Sequence, residues 1–221
     1  MAKSSVIFDL DGTLADTSGD LIAAANACFR DLGFGDVLDP EVDQGIALRG
    51  GRMMLEHGLK RVHSFDEALV TQYYPFLLEA YGSAIAVHTV LYPGAMAAVA
   101  ALKVEGFAVG ICTNKPEALA RQLFEELGVL EEFASLIGAD TLPVRKPDPA
   151  PLLAAAREAG GSEHCLLVGD SDTDHNTARA AGVPSVLVTF GPSGADMAAL
   201  APEALLDDFA ELPALARRLL G

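Results

Sequence analysis

The chain has 221 residues, is 51% apolar, and sets 15 Lys and Arg against 31 Asp and Glu for a net charge of −16. That length holds one large domain, or a medium one carrying a smaller one, and no apolar run reaches the roughly 18 residues that suggest a membrane span. So acidic a surface repels nucleic acid and anionic membranes, which are excluded as expected partners, and any anionic ligand must be met by a metal or by a few placed cations.

In chain order, MAKSSVIFDL is too short and too soon acidic for a secretory signal, so a cytoplasmic location is expected. Val6–Leu10 reads as a buried strand, and Asp9-Leu10-Asp11-Gly12-Thr13-Leu14 closes it. Carboxylates two residues apart on a strand lie roughly 6–7 Å apart. They can flank one phosphorus centre, one attacking and the other handling protons, while Gly12 permits a sharp turn. The plain alternative is a pair of exposed acids ending a strand.

From Asp16 to about His88 the pattern is helix after helix, with helix starts expected at Asp39-Pro40-Glu41 and Ser64-Phe65-Asp66-Glu67. Strand and helix then alternate: helix Pro93–Val104, strand Val109–Cys112, helix Lys115–Leu127, strand Leu136–Gly138, helix Asp148–Ala159, strand Cys165–Val168, helix Asp172–Ala181, strand Ser185–Thr189 and helix Glu211–Leu220. Continuous apolar strands alternating with helices predict an α/β fold with a parallel sheet covered on both faces. The predicted division is a discontinuous core of residues 1–15 and 89–221, with a helical subdomain of residues 16–88 inserted after the first strand. Cys28, Cys112 and Cys165 show no paired spacing and fit buried thiols in a reducing compartment.

Three further segments carry candidate chemistry. Cys112-Thr113-Asn114-Lys115-Pro116 places a hydroxyl, an amide and helix N-terminal N–H groups where a phosphate oxygen would sit, though Thr-Asn before a helix is also an ordinary cap. Lys146, between Arg145 and Pro147, is a cation in a proline-bounded loop, or else a solvated loop lysine. Gly169-Asp170-Ser171-Asp172-Thr173-Asp174 ends an apolar strand in acids. Magnesium takes oxygen ligands, usually one or two carboxylates beside waters and phosphate. Asp170 is the expected ligand and Asp174 its support in the first helical turn, while Asp172 is a favourable charge at a helix start.

Together and in this order, DxDGT, a strand ending in Thr-Asn, Lys-Pro and GDxxxD resemble the haloacid-dehalogenase-like superfamily across nearly the whole chain. Within it the segments from Phe8 to Thr17, Thr113 to Pro116, Lys146 to Pro149 and Gly169 to Ser171 are similar to the phosphoglycolate phosphatases. The resemblance implies a Rossmann-like core with a helical cap, and Mg2+ as cofactor. It implies Asp9 as the nucleophile that becomes an aspartyl phosphate and Asp11 as acid and base. Magnesium would be held by Asp9, the Asp11 carbonyl and Asp170, with Asp174 beside them, and the phosphoryl oxygens by Thr113, Asn114 and Lys146. The expected partner is a small phosphorylated metabolite, 2-phosphoglycolate first, acted on by a monomer or homodimer. Arg49 and Arg52 depart from the pattern of the relatives and are expected either to bind the substrate carboxylate or to be solvated. His57, Lys60, Arg61 and His63 are expected on the surface. A phosphosugar mutase or a pyrophosphatase of the same superfamily would use the same nucleophile. A dehalogenase would leave Asp11 and the acids around Asp170 without work, and a phosphate-accepting signalling module would lack the helical insertion.

Overall fold

The computed structural model describes residues 3–221. The chain runs β1 (Lys3–Phe8), β2 (Ala15–Asp16), α1 (Ser18–Asp31), α2 (Gln44–Ala47), α3 (Gly51–Arg61), α4 (Glu67–Ser83) and β3 (Val90–Leu91). It continues with α5 (Ala95–Val104), β4 (Ala108–Cys112), α6 (Glu117–Glu126), β5 (Leu136–Ile137), α7 (Ala150–Glu158), β6 (Gly161–Gly169), α8 (Asp172–Ala181), β7 (Ser185–Val188), β8 (Ala204–Leu206) and α9 (Leu212–Leu220). Contacts divide it into one unit of residues 1–15 and 91–221 and a second of residues 16–90. No helix among the described residues is long and apolar enough to cross a membrane.

The first unit is a six-stranded sheet in the order β5-β4-β1-β6-β7-β8, every pairing parallel. A parallel central strand must be apolar on both faces. β1 meets this requirement, with Val6, Ile7 and Phe8 fully buried. Because side chains alternate along a strand, Ile7 on β1 and Cys165 and Leu167 on β6 share one face. There they pack with Leu152, Ala155 and Ala156 of α7 and Ala178 of α8. Phe8 faces the other way and meets Phe133 edge-on, which in turn stacks on Phe124 of α6. Each fully buried Val, Ile, Leu or Phe among them contributes about 1.5–3 kcal/mol relative to exposure. The three cysteines are free and buried, and burial pushes the Cys28 and Cys112 thiols up to about 12 and Cys165 up to about 11.

The sheet has one strand more than the sequence predicts. β8 (Ala-Leu-Leu) is too short and too near the 3-10 turn of Gly194–Leu200 to announce itself by pattern, and only its pairing with β7 makes it a strand. β6 also starts earlier than expected, at Gly161.

In the helical unit, buried polar side chains tie loops to helices. Asp20 accepts hydrogen bonds from the backbone N–H groups of His88 and Thr89 and from the Thr89 hydroxyl. Asn26 accepts from Val37 and Leu38 N–H and donates to the Leu38 carbonyl. Asp39-Pro40-Glu41 opens a turn and not the expected helix: Asp39 N–H donates to the Asp43 carboxylate at 2.7 Å, and the one-turn α2 starts only at Gln44. Ser64 does not cap α4; Asp66 does, accepting from Ala68 N–H at 2.8 Å. Arg61, expected as a plain surface cation, forks onto both oxygens of buried Asp43 at 2.7 Å each.

The Arg61 fork, above all, holds the Asp43 carboxyl below its ordinary value, against a burial that acts the other way. A depressed carboxylate contributes stability that is present above its unfolded pKa and lost as pH falls through the folded one. Asp43→Asn should therefore cost about 1–2 kcal/mol at neutral pH, a charged hydrogen-bond pair discounted for a partly exposed arginine. Urea unfolding of both proteins should show that gap closing as pH drops from the ordinary carboxylate range through the lower value Arg61 imposes.

Candidate active site

The rim formed by the carboxyl ends of β1, β4 and β6 carries Asp9, Thr113 and Asp170, each just beyond its strand. Ligands gather at this rim in open α/β sheets. The ladder continues past the strand ends: Asp9 N–H donates to Val168 O and Thr113 N–H to Ile137 O, both at 2.9 Å. These bonds hold the side chains in register. The turn after β1 is closed by Gly12, at φ +80°, with Gly12 N–H donating to Ala15 O.

Lys146 is almost fully buried. Its ammonium donates to Asp174 Oδ1 at 2.6 Å and stands 3.0 Å from Asp9 Oδ1. The contact with Asp9 lacks the direction of a hydrogen bond, so this buried oxygen accepts none among the described residues. The solvated-lysine reading of Lys146 is thereby excluded. Burial alone would pull the ammonium down, but Asp174 and Asp9 outweigh it and hold Lys146 well above the ordinary lysine value. Burial pushes the Asp9 carboxyl up to about 6, with Asp174 and Asp11 adding to the rise and Lys146 opposing it. Asp170 is raised by burial and then by the charges of Asp174 and Asp9.

Carboxylate oxygens of Asp9, Asp170 and Asp174 lie within 4.8 Å of one another. Three buried acids facing one lysine leave negative charge uncompensated. This donor set of hard oxygens fits a divalent cation such as magnesium. The three acids do not contribute alike. Asp174 spends Oδ1 on Lys146, and its Oδ2 accepts from the Ser171 hydroxyl at 2.5 Å and from Asp170 N–H at 3.3 Å. It braces the lysine and the β6–α8 turn. Asp170 has one oxygen accepting from Thr13 at 3.1 Å. Asp172 is exposed at the start of α8.

Other expected residues take less direct places. The Asp11 carboxylate lies outside the three-acid cluster and accepts from the Lys115 ammonium at 2.7 Å. Thr113 Oγ1 accepts from Lys115 N–H at 3.2 Å, which leaves its hydroxyl hydrogen to donate. Asn114 is exposed, and its amide donates to the Lys146 carbonyl at 3.0 Å, so it anchors the loop that presents the lysine. Thr13, Ser171 and Lys115 complete the site without having been singled out from sequence. Ser171 had the signal of a helix cap three residues before an acid, and Lys115 that of a lysine directly after Thr-Asn at a strand end. In the helical unit, Arg52 donates to Glu67 at 2.6 Å and to Thr71 at 3.3 Å and lies over the Tyr74 ring. Arg49 is exposed, and its side chain makes no hydrogen bond or ion pair among the described residues.

The profile of the haloacid dehalogenase-like hydrolase family matches residues 6–188. The chain belongs to this family. The hydrolase is 39% identical over 217 residues to the phosphoglycolate phosphatase of Rhodospirillum rubrum, an alignment covering 94% of this chain and 88% of that protein. It is 37% identical over 225 residues to the phosphoglycolate phosphatase of Mesorhizobium japonicum, covering 100% of this chain and 98% of that one. Among solved structures it superposes with a TM-score of 0.84 on a predicted phosphoglycolate phosphatase from Haemophilus somnus, at 25% identity and with 97% and 98% of the two chains covered. The matched span runs from β1 to β7, so the unforeseen β8 lies outside it.

One position in the hydrolase tests how tightly β6 packs beneath the Asp174 side chain. A Cβ on Gly169 would stand 2.4 Å from Asp174 Cβ and Cγ. Gly169→Ala should lower stability by about 1–3 kcal/mol through overpacking, read by urea unfolding, while an unchanged midpoint would mean that α8 can move off β6 freely.

Proposed function

We propose that the hydrolase is a magnesium-dependent phosphatase that cleaves small phosphate monoesters, 2-phosphoglycolate to glycolate and phosphate first among them. The observation that carries the reading is a buried lysine shared by Asp9 and Asp174, with a third carboxylate beside it, at the rim of the parallel sheet. The names of the relatives support the substrate.

In this reading an Asp9 oxygen attacks phosphorus, forming an aspartyl phosphate as the bond to the ester oxygen breaks. Asp11 gives its proton to the departing alkoxide, then takes one from the water that attacks the aspartyl phosphate and restores Asp9. Lys146 and the Thr113 hydroxyl hold phosphoryl oxygens. Asn114 acts through Lys146 by fixing its carbonyl. Asp9, Asp170 and the Asp11 carbonyl would hold magnesium, with Asp174 bracing them, and magnesium when bound neutralises phosphoryl charge. Asp11 stands as the proton carrier because its carboxylate lies apart from the three clustered acids. The helical unit is read as a cap, and its exposed Arg49 as one candidate cation for the substrate carboxylate. Arg52 is held by Glu67 and Thr71 and serves that helix pair instead.

Phosphate release across a panel of phosphoesters should require added magnesium and should fall by at least about 10³-fold in Asp9→Asn; release that survives in this variant would remove Asp9 as nucleophile. Independently of turnover, magnesium at about 100 times its Kd should stabilise the protein by about 2.7 kcal/mol. A thermal melt should lose most of that shift in Asp170→Asn.

A further inference from the structure

We infer that Lys115 reads a carboxylate carried by the leaving group, and so selects esters such as 2-phosphoglycolate over neutral phosphoesters of the same length. This rests on the phosphatase reading and adds the residue that discriminates.

Two lysines are buried in the described residues, Lys115 and Lys146, and both belong to this site. They divide its anions. Lys146 faces Asp9 and Asp174, on the side of the phosphoryl group. Lys115 faces Asp11 at 2.7 Å, its side chain only 4% exposed, on the side of the leaving group. To protonate the ester oxygen, Asp11 must come within about 2.6–3.2 Å of it. Where one methylene separates that oxygen from a carboxylate, the carboxylate arrives beside Asp11, within reach of the ammonium already there.

The charge of the chain makes this placement selective. A protein of net charge −16 offers a multiply charged anion no general attraction, so a second anionic group on the substrate has to find its own cation. A buried ammonium is costly to keep out of water unless anions face it. Lysine suits the position because its point charge carries three donors and can hold Asp11 and a substrate oxygen together. A merely structural Lys115 would serve every ester equally; a carboxylate reader serves one class.

The test compares kcat/KM for 2-phosphoglycolate and 2-hydroxyethyl phosphate, which matches it in length without the carboxylate, in the wild type, Lys115→Gln, Lys115→Arg and Arg49→Ala. The expected result is a preference for 2-phosphoglycolate that falls about tenfold or more in Lys115→Gln, chiefly through KM, and is partly restored in Lys115→Arg. Equal losses on both esters would make Lys115 a positioning residue for Asp11 and overturn the inference, as would a preference that moves with Arg49→Ala and not with Lys115. If Lys115→Gln does not fold, Lys115→Met, an uncharged side chain of similar length, takes its place: an unchanged preference and KM in it would overturn the inference. If the wild type releases phosphate from neither ester, the phosphatase reading fails on its own. Calorimetric binding of the same two compounds with magnesium then decides Lys115, with equal affinity overturning it.

Discussion

A lysine with almost no access to water sits between two aspartates at the rim of the sheet, and the site is built around holding it there. Lys146 would lose its solvation for nothing unless Asp174 and Asp9 faced it at 2.6 and 3.0 Å, and Asp174 can face it only because Ser171 and the Asp170 N–H fix its other oxygen. That arrangement needs β6 and α8 to meet closely, which Gly169 allows. It also needs the loop before α7 to be pinned, which Asn114 does through the Lys146 carbonyl. Backbone register, helix capping and ionic contacts thus converge on one ammonium. Breaking a buried pair of this kind leaves an uncompensated charge, which is why such networks tolerate little change.

Much of this was legible in the residues. Strands buried on both faces write themselves as short apolar runs, and the residue following such a run falls at the rim by geometry. Asp9, Thr113 and Asp170 could therefore be placed together before any coordinates. Lys146 was legible as a cation but not as a buried one, because its burial depends on Asp174, 28 positions further along the chain. Asn114 was legible as a polar group at a strand end, but its bond to the Lys146 carbonyl was not, since a backbone carbonyl is a group every residue has and no pattern marks. The Lys115–Asp11 pair spans 104 positions, and no local rule links the two.

The helical unit was less legible for a related reason. Its apolar pattern predicted helices, yet the segment at Asp39–Asp43 turned on which side chain captures which carboxylate. Arg61 claims Asp43, and Asp39 is left to close a turn onto the Asp43 side chain and the Glu41 N–H. Charge pairing between a loop and a neighbouring helix overrides local helix signals when a helix is only one turn long, since so short a helix has little cooperativity to defend it.

The order in which the sheet is assembled has its own consequence. Residues Ser5 to Phe8 sit at the centre of the sheet, but they pair with residues 108–111 on one side and 165–168 on the other. Closing such distant partners demands long loops before any ladder forms, so folding of this sheet is intrinsically slow. On a ribosome the apolar Val-Ile-Phe segment would wait uncovered while both neighbours were still being made, a target for chaperones during synthesis and a sticky edge if that wait were prolonged.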